Sequence, residues 1–315
     1  NGTSAEILAL LLLEDTTGNK VGLDGDFKMT VSDGTVNVAD VNTMSDFATT
    51  GEITATISDQ NIATLDDLTT GSADQLTITV ATTSVTASAL KTVADATGLN
   101  VTATAVETVT GTATQMDALL LVEGSTGDKV NLDADYNITI SGSNATVTQA
   151  NAYGTATDGV VTATISNTAI ADLDDLTTAS TDQLTITVAT TSVTASALKT
   201  VADATGLNVT ATAVETVTGT ATQMDALLLV EGSTGDKVNL DADYNITISG
   251  SNATVTQANA YGTATDGVVT ATISDQTIAA LDDLTTASTD QLTITVASTS
   301  ATAAQLTTVA GATGL

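Results

Sequence analysis

Leu184-Thr-Ile-Thr-Val-Ala-Thr-Thr-Ser-Val-Thr-Ala-Ser-Ala-Leu-Lys-Thr-Val-Ala-Asp-Ala-Thr-Gly206 reads as one strand, one turn and one short helix. Its first five residues alternate and are rich in β-branched side chains, which predicts a strand with Leu184, Ile186 and Val188 facing inward. From Thr194 to Asp203 the pattern changes to a helix. A Thr or Ser cap precedes it, Leu198 and Val201 share a face, Lys199 stands four residues before Asp203, and Gly206 stops it.

The same order recurs on both sides of this stretch. Ile165 is followed by Ile170, Leu173 and Leu176. Ala221 to Val230 reads as the best helix, with Thr220 as its cap, Met224, Leu227 and Leu228 on one face, and Gly232 and Gly235 ending it. Val160, Leu184, Leu207 and Tyr244 each open an apolar-alternating run before Val268 starts the next round, at spacings of 24, 23, 37 and 24 residues. Above these sub-units lies an exact period of 108 residues, since Asp74–Ser166 returns letter for letter as Asp182–Ser274. The chain divides on that period into 1–99, 100–207 and 208–315, each of about four sub-units. The first repeat lacks the first strand and diverges most, with Asp24-Gly-Asp-Phe-Lys28 where the later ones have Asp133-Ala-Asp-Tyr-Asn137. Because the pattern starts and stops inside a period, and no polar cap is evident at Leu315, the chain reads as an excerpt of a longer array.

One such unit cannot bury its inward strand residues and its helix face alone, whereas stacked neighbours make a continuous core. The expected fold is therefore an α/β repeat solenoid of strand–turn–helix units. Its plan is like that of leucine-rich repeats, with Ile186, Val188, Thr191 and Val193 in the Leu-x-Leu-x-x-Asn-x-Leu slots. Thr191 stands where Asn would cap the coil. The alternative is a string of tandem Ig-like β-sandwiches, since about 100 residues is the size of one such domain.

Composition narrows the chemistry. There is no Cys, His, Trp, Pro or Arg. Structural zinc, iron–sulfur, haem and the common Ser-His and Cys-His nucleophile pairs therefore have no raw material. No glycine-rich phosphate cradle is present. Carboxylate-only catalysis survives that filter in principle, but six aromatic residues offer little from which to build a substrate platform, and the expectation is that the chain is not an enzyme. With 37 acidic residues against 6 basic, the formal charge is −31, which repels nucleic acid and anionic membrane surfaces and leaves cations as natural partners. The longest leucine run, Leu10–Leu13, is far too short to span a bilayer, so no membrane insertion is expected.

Runs such as Thr77-Ile-Thr-Val-Ala-Thr-Thr-Ser-Val-Thr-Ala-Ser-Ala-Leu90 and Val161-Thr-Ala-Thr-Ile-Ser-Asn-Thr-Ala-Ile-Ala-Asp-Leu173 resemble the Thr/Ala/Asp-rich repeats of giant cell-surface proteins of marine bacteria, cyanobacteria in particular. The likeness covers essentially the whole chain. It implies export, an extracellular or cell-surface location, and a role in adhesion, motility or a surface layer.

The densest acidic cluster is Asp133, Asp135 and Asn137, repeated as Asp241, Asp243 and Asn245. On a strand these three side chains share one face, and oxygen ligands so close together suit Ca²⁺. An EF-hand loop would need Gly where Ile138 stands. Thr-x-Thr pairs (Thr54 and Thr56, Thr77 and Thr79, Thr102 and Thr104, Thr162 and Thr164) occupy outward strand positions and would stack into a hydroxyl ladder like an ice-binding face, or serve only as soluble strand formers. Asp66-Asp67, Asp174-Asp175 and Asp282-Asp283 read as solvated pairs flanking helices. Two functions follow. One is a structural array that sets distance from a cell or polymerises head-to-tail into a filament or layer. The other is a binding module for surface glycan or ice, with Tyr153 and Tyr261 as the nearest thing to a ligand platform.

Overall fold

The structure, a computed structural model, describes residues 1–315 except 16–21, 33, 124–128 and 232–236. The expected helix stops at Gly232 and Gly235 lie outside the described residues. Two compact units are present: residues 1–144 with 152–162, and residues 145–151 with 163–315. These bounds are not those of the 108-residue sequence periods.

Each unit is α/β, and the strand pairs described are parallel. In the second unit Ser192–Thr194 pairs with Thr216–Gly219, that strand with Asn245–Ile248, then Val269–Thr272 and Gln291–Thr293. Successive partners lie 24, 29, 23 and 21 residues apart: Ser192 with Thr216, Thr216 with Asn245, Ile246 with Val269, and Thr270 with Gln291. A second ladder joins Val209–Ala211 to Val238–Leu240, with Thr210 bridged to Thr187. The first unit repeats these pairings, for example Ser84 with Thr108, Thr108 with Asn137 and Ile138 with Val161.

Parallel strands cannot be joined by tight turns, and here most of the crossovers contain a helix. The antiparallel sheets of an Ig-like sandwich are not what these pairings form. The spacing of 37 is also corrected. Leu207 precedes a strand of one ladder and Tyr244 a strand of the other, so that interval adds a shift along the turn to the true step of 29.

Register decides what is buried. Val193, Val217, Ile246 and Val269 stand opposite one another in adjacent strands, and all four are buried. Val85, Val109, Ile138 and Val161 do the same in the first unit. Leu184, Ile186 and Val188 face inward as their alternation predicts.

The helices also follow their local chemistry. Thr194 has extended backbone and its hydroxyl accepts the Ala197 N–H, starting the helix Ala195–Asp203. Lys199 and Asp203 form an i,i+4 ion pair on its outer side, while Leu198 and Val201 are fully buried. Burial of two such side chains contributes roughly 1.5–3 kcal/mol each, against a few tenths for the exposed ion pair. The helix packs on Ala221–Glu231, which begins after Thr220 as expected, and Ala87–Asp95 packs in the same way on Ala113–Glu123. Gly219, at the end of its strand, permits this approach: a Cβ there would lie 3.3 Å from the Cβ of Ala195.

Candidate functional site

A helix start leaves backbone N–H groups without partners, and so does a strand that outruns its neighbour. Here both defects recur along the chain, and many of them are filled by side chains 20 to 30 residues further on. At helix starts the first N–H is taken by a side-chain oxygen 20 or 21 residues later. Val38 donates to Asp59 at 2.8 Å, Ile62 to Thr82 at 3.0 Å, Val147 to Asn167 at 3.1 Å, and Ile170 to Thr190 at 2.9 Å. Val255 and Ile278 donate to Asp275 and Ser298, both at 2.7 Å. At the 29-residue step the partner comes 30 residues later, Ser143 for Ala113 and Ser251 for Ala221. The capping oxygen in the unit quoted first is thus on Thr190, one residue before the slot assigned to Thr191.

Strand starts use a more buried device. Thr205 is fully buried, and its hydroxyl accepts the Leu184 N–H at 3.0 Å and donates to the Leu184 carbonyl at 2.9 Å. It also accepts the Leu207 N–H, so one side chain replaces the bonding of a missing strand neighbour. Thr97 does the same for Leu76, and Thr313 for Leu292. Where the next strand begins, Asp takes over: Asp74 accepts the N–H of Ile53 and of Gly71, and Asp290 those of Val269 and Ala287. Asn42, Asn151 and Asn259 form a third series, each donating to one carbonyl and accepting one N–H of the loop after the next short helix.

Tyrosines link the helices. Tyr261, fully buried, donates from its hydroxyl to the Asp225 carboxylate at 2.8 Å and lies 3.0 Å from the Ala221 carbonyl. Tyr153 makes the same contacts with Asp117 and Ala113. Burial, and then the adjacent carboxylate, push both phenols well above the usual tyrosine range. With their rings buried, Tyr153 and Tyr261 present no surface to a ligand, and packing between turns accounts for them.

The calcium candidates sit differently from the strand first expected. Asp133–Tyr136 is a turn, and the strand starts only at Asn137. A turn does not hold alternate side chains on one face, so the shared-face argument fails for Asp133, Asp135 and Asn137, and equally for Asp241, Asp243 and Asn245. The first three still line one open cleft of about 440 Å³ with Glu107. Two of their oxygens are engaged: Asp133 Oδ1 accepts the Ala134 N–H, and Asn137 Oδ1 accepts the N–H of Val160. Among the described residues no group of three or more Asp or Glu side chains is placed to hold a metal ion.

Threonines do align across strands, as Thr194, Thr218, Thr247 and Thr270 in one row and Thr86, Thr110, Thr139 and Thr162 in another. Part of each row serves the protein itself. Thr194 and Thr86 cap helices, and Thr218 and Thr110 donate to the carbonyls of Val193 and Val85. Asp66 and its copies Asp174 and Asp282 end the four-residue helices, each followed in sequence by Asp67, Asp175 or Asp283.

The spacing that carries the clamps was legible only with a partner to look for. Its signal is chemical: Asp59, Asn167 and Asp275 are equivalent positions, as are Thr82, Thr190 and Ser298, and every variant keeps an acceptor oxygen. Comparison with known protein families, curated proteins and solved structures found no match.

Proposed function

We propose that this chain is a structural, non-enzymatic repeat array of a bacterial cell surface, serving as spacer, adhesin stalk or building block of a filament or layer. Within each unit the turns are read as a strand–helix solenoid on a leucine-rich-repeat-like plan. The observation that supports this most is the clamp series. Oxygen-to-N–H contacts of one kind recur between residues about 20 to 30 apart along the chain, and their positions return at the 108-residue period with an acceptor oxygen kept each time. Such contacts serve continuity between turns and present nothing to a substrate. The charge of −31 suits a long, strand-rich chain that has to stay soluble and keep its edges from pairing at random.

Single-molecule pulling tests the reading. A clamped stack releases its turns in steps, and full extension of one 108-residue period adds about 37 nm at ~3.4 Å per residue. Repeated increments of that size or simple fractions of it are expected. Featureless extension at low force would sink the proposal.

A further inference from the structure

We infer that this chain binds a second copy of itself by exchanging periods out of frame, the residues up to Leu207 of one molecule docking on the residues from Asn100 onward of another. The joints inside the chain at 99/100 and 207/208 are the same contact by contact. Across the first, Ser84 pairs with Thr108, Thr79 bridges to Thr102, the helix Ala87–Asp95 packs on Ala113–Glu123, and Lys129 Nζ donates to the Thr97 carbonyl at 2.8 Å. Across the second, Ser192 pairs with Thr216, Thr187 bridges to Thr210, Ala195–Asp203 packs on Ala221–Glu231, and Lys237 Nζ donates to the Thr205 carbonyl at 2.8 Å.

All of these residues lie inside Asp74–Ser166 and its exact copy Asp182–Ser274, so no side chain at one joint tells its own partner from that of the other. Burial is equally blind to the frame. Leu90 and Leu198, Val93 and Val201, and Met116 and Met224 are all at 0% exposure.

Each joint runs through residues outside any helix or strand, with Asn100 and Asn208 exposed, so it can open without breaking an element. When one molecule opens at 207/208 and another at 99/100, the first joint remade is Leu207 side to Asn100 side. The parts left over, up to Leu99 of one molecule and from Asn208 of the other, meet at a joint of the same sequence. Every contact broken is therefore remade, which is the condition for exchange of identical elements at low cost. One arm of the product gains a period and the other loses one.

Concentration decides between the two frames of reference. A partner on a flexible tether in the same chain acts at an effective concentration of about 1 mM. A second copy approaching that density competes with it while the joints are forming, and misassembly of this kind is characteristic of repeat proteins.

Refolding the whole chain from denaturant at about 1 µM and at about 500 µM, below and near that effective concentration, tests this. After dilution, size exclusion with light scattering should show monomer from the first sample and a persistent dimer from the second, because reversal requires a joint to reopen. The chain has no cysteine, so a disulfide can report the frame. A Cβ at Gly111 would lie 3.1 Å from that of Ala87, and one at Gly219 would lie 3.3 Å from that of Ala195. Out of frame, Ala87 of one molecule comes beside Gly219 of the other. Ala87→Cys with Gly219→Cys, refolded at the higher concentration in reductant and then oxidised, should give a covalent dimer on non-reducing electrophoresis, and Ala87→Cys alone should give none. Both sites are tight, so a gentler pair keeps the test open should the cysteines prevent folding. Ala195→Gly with Gly219→Ala moves one methyl across the second joint, which preserves its own fit but sets two methyls against each other out of frame. It should cut the dimer yield severalfold. Monomer alone at the higher concentration, a dimer carrying no 87-to-219 disulfide from a folded cysteine variant, or a yield unchanged by the methyl exchange overturns the out-of-frame assembly. The exchange rests on the identity of the copies and not on the array reading, whose pulling steps none of these outcomes alters.

Discussion

The strand-start clamps and the helix-start clamps solve the same problem in different surroundings. Thr205 and Asp290 work in the buried interior, where an N–H left alone has no water to turn to. Thr190, Asn167 and Asp275 work at part-buried helix ends, where water is a ready substitute and the helix dipole favours any nearby oxygen or negative charge. The difference explains their chemistry. Thr97, Thr205 and Thr313 are the same residue in all three copies, while the helix-start positions vary among Asp, Asn, Thr and Ser. A buried position that must both donate and accept admits a hydroxyl of one shape. A half-exposed acceptor needs only an oxygen.

The largest expected effect comes from breaking the buried side. Thr205→Val keeps the shape and removes the hydroxyl, orphaning the N–H groups of Leu184 and Leu207. A loss of roughly 3 kcal/mol in chemical denaturation is expected. Thr205→Ser should recover most of it, and equal losses for both variants would show that packing, and not the hydroxyl, is what matters there. On the helix side, Asp275→Ala should cost about 1 kcal/mol and Asp275→Asn much less, because Asn167 already does this work in the preceding copy. If Asp275→Ala cost as much as Thr205→Val, the distinction between the two kinds of clamp would collapse.

The tyrosine contact is of intermediate character and has a pH signature. Its phenol is held above the ordinary value in the folded chain, so stability is complete below about pH 10, the ordinary tyrosine value. It then falls as pH rises further, because the unfolded phenol ionises while the folded one does not. Tyr261→Phe should cost about 1 kcal/mol at neutral pH and flatten the alkaline decline relative to wild type. Thermal unfolding from pH 8 to 11 reads both, and parallel curves for the two proteins would remove the linkage. Cations should have the smallest specific effect. At matched ionic strength Ca²⁺ and Mg²⁺ should raise the melting temperature equally by screening the net charge. A rise particular to Ca²⁺, lost in Asp133→Asn with Asp241→Asn, would restore a bound ion to that cleft.

The sequence carried local structure well and relations between turns poorly. Leu184, Ile186 and Val188 declare a strand by alternation, and Thr194, Leu198, Lys199 and Asp203 declare a helix by cap and spacing, because those signals lie within a few residues of one another. The step of 29 was read as 37 because Leu207 and Tyr244 look alike as openings of apolar runs yet belong to different ladders. Asp133-Ala-Asp-Tyr-Asn137 looked like a strand because alternation is also what a turn followed by one buried tyrosine produces. The clamps were hidden for a third reason. A Thr that joins Leu184 from position 205 is, in one dimension, only another Thr in a chain full of them.

The identity of Asp74–Ser166 with Asp182–Ser274 bears on how the chain reaches its fold. Val101 pairs with Val130, but Val238 offers the same partner strand in the same local sequence. Choosing the wrong twin enlarges the loop from 29 to 137 residues, which raises the closure cost by only about 1.4 kcal/mol. Out-of-frame pairings are therefore nearly as accessible early in folding as correct ones, and they hold a whole period outside the stack until they dissolve. Only the letters that differ between copies, such as Asp24–Lys28 and Ala303–Gly311, tell one frame from another. Exact copying thus gives uniform contacts at the expense of slow, frame-searching phases in refolding.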